Sequence, residues 1–170
     1  PKPVTLNMNN LREDSKDNIL SNFSVTEKAD GETMILYILG IEHLSKQNKN
    51  SYKKYEGNIY LIDMNENVFK TRIKDIDNIN TIISGEYIRS SSNGYKINYF
   101  AAFDIYNDNK FGNIICYPFY GTDNNMIYRY NILNNVINDL NKHISKNNYN
   151  GFVLKSKEFY FGNNKKIFEL

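Results

Sequence analysis

Apolar residues recur at helical period only once in this chain of 170 residues: Tyr130, Leu133, Ile137, Leu140 and Ile144 are spaced +3, +4, +3 and +4. That stripe predicts one amphipathic helix over 126–145, its apolar face turned to a core. Elsewhere the apolar runs are short and bounded by Gly, Asn, Asp and Ser, which is the pattern of strands and turns. A chain with one helix and many short strands must bury that helix against sheet, so the expected class is α+β with mostly antiparallel strands.

The strand-like runs can be placed individually. Residues 23–28 and 33–39 flank a tight Asp30-Gly31 turn. Residues 58–63 and 68–71 flank Met64-Asn65-Glu66-Asn67 and read as a hairpin. Further strands are expected at 81–83, 86–88, 96–105, 113–117 and 151–155. The polar, basic stretch 45–56 (SKQNKNSYKKYE) reads as a solvated connection.

Bulk properties exclude several classes. A hydrophobic share of 41% with 24% charged residues is that of an ordinary soluble domain, and a net charge of +2 does not by itself argue for nucleic acid. The single Cys116 rules out an internal disulfide and suits a reducing compartment. Within the run Ile114-Ile115-Cys116 it is expected to be a small buried hydrophobe. No apolar stretch approaches the roughly 20 residues of a membrane span, so the expectation is a soluble cytoplasmic protein with no membrane partner. His43 and His143 have no acid or Cys at ligand spacing and are not expected to bind metal. The chain opens on Pro1-Lys2-Pro3 and stops on Ile167-Phe168-Glu169-Leu170, which reads as a piece of something longer.

The chemistry concentrates at Glu27-Lys28-Ala29-Asp30-Gly31-Glu32. A lysine with a pKa of about 10.4 is a poor nucleophile and must be desolvated or set near other cations to react. A strand end beside a glycine turn offers burial and backbone amides for phosphates. Downstream come Ser84-Gly85-Glu86-Tyr87-Ile88 and then Phe100-Ala101-Ala102-Phe103-Asp104-Ile105-Tyr106. This ordered set resembles the covalent nucleotidyltransferases: DNA ligases, RNA ligases and mRNA capping guanylyltransferases. Within them it looks most like the capping guanylyltransferases of large DNA viruses. The opening Pro-Lys-Pro-Val-Thr-Leu, the hairpin at 60–69, Arg129 after Cys116-Tyr117-Pro118-Phe119, and the blocks 157–162 and 167–169 look like that branch.

The resemblance implies a nucleotidyltransferase fold (ATP-grasp-like), with antiparallel sheets around a nucleotide cleft. Residues 1–170 would be its N-terminal part, carrying motifs I, III and IIIa without motifs IV and V or the OB-fold. It implies that Lys28 takes up GMP from GTP and that the GMP passes to a 5′-diphosphate RNA end, with Mg²⁺ or Mn²⁺. Glu27, Asp30, Gly31, Glu86, Phe103 and Arg129 would bind nucleotide. Phe103 would stack on the base, and strand alternation sets Phe103 and Ile105 on the face opposite Asp104. Glu86 and Asp104 would serve the metal. Partners implied are the RNA 5′ end and other capping domains or a regulatory subunit, in cytoplasm, virion or viral factory.

Three positions depart from the pattern. Ser84 stands where the family has an acid, Thr33 where it often has arginine, and Asn150 precedes a Gly-apolar run without the metal-binding acid. The 170-residue piece alone is therefore expected to be inactive. Two alternatives follow: an ATP-dependent ligase adenylation domain, and a non-catalytic scaffold or regulatory module.

Overall fold

The computed structural model describes residues 7–12, 14–15, 19, 24–40, 57–91, 93–149 and 151–161. The expected loop at 45–56, His43, Asn150, the opening six residues and the block after 161 lie outside the described residues. The chain forms two compact units, one from residues 1–28 and 157–170 and the other from 29–156.

The smaller unit contains a short 3-10 helix, Met8–Leu11, capped by the Asn7 side chain, and a two-stranded antiparallel sheet. That sheet pairs β1 (Ser24–Thr26) with β9 (Phe159–Phe161), Ser24 standing opposite Phe161. Thr26 Oγ1 also donates to the Glu158 carbonyl at 2.7 Å.

The larger unit is a seven-stranded sheet with one helix. Its strands are β2 (Glu32–Ile38), β3 (Asn58–Asp63), β4 (Val68–Lys74), β5 (Ile82–Ser90), β6 (Lys96–Asp108), β7 (Gly112–Asn113) and β8 (Val153–Ser156). They run in the order β4-β3-β2-β5-β6-β7, all antiparallel, and β8 adds to β6 in parallel. The α+β, mostly antiparallel architecture is thus as expected, and the 58–71 hairpin is present. Its turn is held by Asp63, whose carboxylate accepts from the Asn65 and Asn67 amides (2.8 and 2.9 Å) and the Asn67 side chain. Those hydrogen bonds, the Asn67 side chain first, hold the Asp63 carboxyl below its usual range.

The helix α1 (Arg129–Lys146) starts three residues later than the stripe suggested and buries Leu133, Ile137, Leu140 and Ile144 with Ile132 and Val136. It packs on the sheet face that carries Leu36, Ile38, Ile59, Ile83, Phe100, Ala102 and Ile105, and these form one core. Among the described residues no helix is long and apolar enough to cross a membrane.

Three expectations fail for identifiable reasons. Ser84-Gly85 does not break the strand: β5 runs straight through it. Gly85 is in mid-strand because the Phe100 ring occupies the space of its side chain, 2.5 Å from where a Cβ would lie. Strand 113–117 shrinks to Gly112–Asn113, because the chain turns at 114–117 with the Tyr117 amide donating to the Ile114 carbonyl. That turn sends Ile114 into the core and leaves Cys116 exposed, the reverse of its expected burial.

Gly85→Val should therefore lower stability by about 1–3 kcal/mol through overpacking against Phe100. Chemical denaturation checks it, and an unchanged midpoint would mean that the ring relaxes freely. Cys116 should react with a thiol reagent in the native protein as fast as in the unfolded chain, within about tenfold.

Candidate functional site

The Asp-Gly turn before β2 seats directly on β5. A Cβ on Gly31 would come within 2.9 Å of Ile88 Cγ1 and 3.1 Å of Glu86 Cβ, so a larger residue there would make these β5 side chains shift. Pairing of β2 with β5 continues the contact, Thr33 standing opposite Glu86 and Glu32 opposite Tyr87. Gly31 and Glu86, far apart in sequence, thus touch. Asp30 is exposed beside the turn and Glu86 is half-buried.

Lys28 and Glu27 belong to the smaller unit, on the extended run after β1, and both are exposed. The Glu27 carbonyl accepts a hydrogen bond from Lys157 Nζ at 3.2 Å. Glu27 is thereby fixed through its backbone, which leaves its carboxylate outside that contact.

Phe103 and Asp104 lie on β6 at a break in register. Ser84 faces Asp104 while its neighbour Gly85 faces Ala102, so Phe103 is the extra residue of a β-bulge. The bulge corrects the expected alternation. Ala102 and Ile105, three apart, both enter the core, whereas Phe103 is half-buried and outside it. A bulge adds one residue to the count between core positions, and the sequence alone carried no mark of it.

Asp104 is engaged with Arg129. The guanidinium donates to both carboxylate oxygens, at 2.9 and 3.0 Å, and also to the Ile115 and Tyr117 carbonyls. Each side chain keeps only 18% of its surface exposed. The hydrogen bond to Asp104, more than the burial that opposes it, raises the pKa of Arg129 further and keeps it charged. A cation at the first position of a helix sits at the unfavourable end of the helix dipole, and Asp104 offsets it. The amides of Arg129 and Tyr130 donate to the Pro118 and Phe119 carbonyls, which completes the helix start without a side-chain cap. The two residues that the resemblance assigned to metal and nucleotide thus serve each other, clamping β6, the 115–117 turn and α1 together.

The fold also gathers a group that the sequence did not suggest. Ligand atoms of Asp75, Asp77 and His143 lie within 4.8 Å of one another. The Asp75 carboxylate, however, accepts from the Asp77 amide (2.8 Å), the Asn78 amide (3.2 Å) and the Asn78 side chain (2.9 Å). It is a turn cap, and Lys110, Lys142 and Lys146 crowd the same hollow.

Comparison of the sequence with protein-family models and with curated proteins finds no match.

Breaking the Asp104–Arg129 pair should be costly. Arg129→Leu or Asp104→Asn alone should each lose about 2–3 kcal/mol, and the double variant should lose less than their sum by more than about 0.5 kcal/mol. Urea denaturation of the four proteins measures the coupling, and strict additivity would show that the pair is not a unit.

Proposed function

We propose that the chain is part of a covalent nucleotidyltransferase domain of the capping guanylyltransferase kind, with Lys28 as its nucleophile. The observation that carries the reading is the seat of Gly31 on Glu86. Two segments distant in sequence, which the motif order assigns to one site, meet there in a close contact that a larger residue at position 31 would disturb. The bulge at Phe103 supports it too, since it takes an aromatic ring out of the core beside the same strand pair.

The reaction runs in two balanced steps. Neutral Lys28 Nζ attacks the α-phosphorus of GTP; an N–P bond forms, the bond to the β-phosphate oxygen breaks, pyrophosphate leaves and the Nζ proton passes to solvent. A terminal oxygen of a 5′-diphosphate RNA then attacks that phosphorus and breaks the N–P bond, and Lys28 regains a proton. Asp30 and Glu86 are the oxygen donors suited to Mg²⁺ or Mn²⁺ and to the ribose; Asp104 is already neutralised by Arg129. A bound divalent ion supplies charge neutralisation at the phosphates. Phe103 stacks on guanine.

A non-catalytic scaffold is the second reading, and two observations favour it. Ser84, where the family has an acid, is 2% exposed, and Asp104 is committed to a structural clamp.

Incubating the natural full-length polypeptide with GTP or ATP labelled at the α-phosphate separates the possibilities. An SDS-resistant, acid-labile adduct from GTP is expected. An adduct from ATP alone identifies a ligase, and none from either identifies a scaffold. Lys28→Ala and Lys28→Arg should both abolish the adduct by more than about 10³-fold, since a guanidinium stays protonated. Phe103→Ala should weaken GTP binding by about 1–3 kcal/mol with little change in melting temperature. A large melting loss with unchanged affinity would return Phe103 to a packing role.

A further inference from the structure

A cleft of about 980 Å³ opens on the core face of the seven-stranded sheet. Met34, Leu61 and Tyr87 line it from β2, β3 and β5, with β4 along one side and Asn148, Tyr149, Gly151 and Phe152 along the other. Tyr87 and Glu86 are neighbours on β5 and point to opposite faces, so this cleft is on the other side of the sheet from Glu86. It is separate from the site proposed above.

Its chemistry is one-sided. Lys70, Arg72, Arg89 and Lys96 all line it and all are exposed, and among the described residues no Asp or Glu does. Rings come from the same lining: Phe69, 44% exposed, and half-buried Tyr87, Tyr149 and Phe152. Arg89 lies 5.8 Å from the centroid of the Tyr87 ring and is ion-paired to Glu32 at 3.0 Å. Such an exposed pair is worth little, so a phosphate can displace Glu32 at small cost. The Tyr87 hydroxyl donates to Asn98 Oδ1 at 2.9 Å, which fixes the ring and sets an amide at the rim.

We propose that this cleft binds a single-stranded polynucleotide, with phosphates on Lys70, Arg72, Arg89 and Lys96 and bases against Phe69 and Tyr87. Cations spread over β4, β5 and β6 suit a row of phosphates. Aromatic side chains among them give bases a stacking surface that needs no particular sequence. An acidic peptide would satisfy the cations and leave the rings unused.

The test uses the whole chain and fluorescently labelled single-stranded RNA of about ten nucleotides, followed by anisotropy at several salt concentrations. Matched single-stranded DNA, duplex RNA and poly-glutamate compete. The expected result is displacement by single strands at least tenfold better than by duplex or poly-glutamate, with RNA against DNA showing whether the 2′-hydroxyl is read. Arg72→Glu with Lys96→Glu should weaken binding at least tenfold and flatten the salt dependence by about two contacts. Phe69→Ala should weaken it about fivefold or more. Lys142→Glu with Lys146→Glu, on exposed helix positions, changes net charge equally and should cost less than threefold. Equal loss from both charge pairs, tighter binding of poly-glutamate, or no binding by the unaltered chain would overturn the proposal. Circular dichroism confirms that each variant is folded.

Discussion

The β5–β6 pair is the constraint on which the larger unit depends. The Phe100 ring lies where a side chain at position 85 would be, so the two strands can approach only if that residue is glycine. From this contact the register runs outward. Gly85 also faces Met34 on β2, which carries the core face toward β3, while β6 carries it toward α1 and β8. The bulges at Phe103 and Tyr106 adjust a 13-residue strand so that Ile105 still meets the core after Ala102 has done so. A longer ring contact or a missing bulge would move every later side chain of β6 to the wrong face.

Much of this was legible from the sequence. The helix announced itself by its stripe and the 58–71 hairpin by its turn residues. What could not be read shares one physical origin: it depends on partners distant in the chain. Gly85 looks like a strand break until the Phe100 ring is seen to fill the space beside it. Cys116 looks like core until a turn puts Ile114 inward instead. Asp104 and Arg129 look like ligands for something bound until they are seen to neutralise each other. The cleft cations come from three successive strands, β4, β5 and β6, whose side chains converge only when the strands fold together, and a net charge of +2 hides that convergence.

The two faces of the sheet carry different chemistry. Around Glu86 the chain offers carboxylates, a glycine turn and an aromatic ring outside the core, the set on which the proposed nucleotidyltransferase reading rests. Around Tyr87 it offers cations and rings, the set on which the proposed polynucleotide cleft rests. Both rest on β5, whose alternation assigns successive residues to one face or the other, so any change in its register would disturb both at once.

The pairing of β1 with β9 has a consequence for the order in which the molecule is made. Ser24 finds its partner only at Phe161, 137 positions later, whereas the strands of the larger unit lie between them. During synthesis the segment bearing Lys28 emerges before those strands and stays without this strand partner until residue 161 has left the ribosome. The larger sheet can close before then, since all of its strands end by Ser156. A segment made before the larger sheet is therefore paired only after the last strand of that sheet has been made.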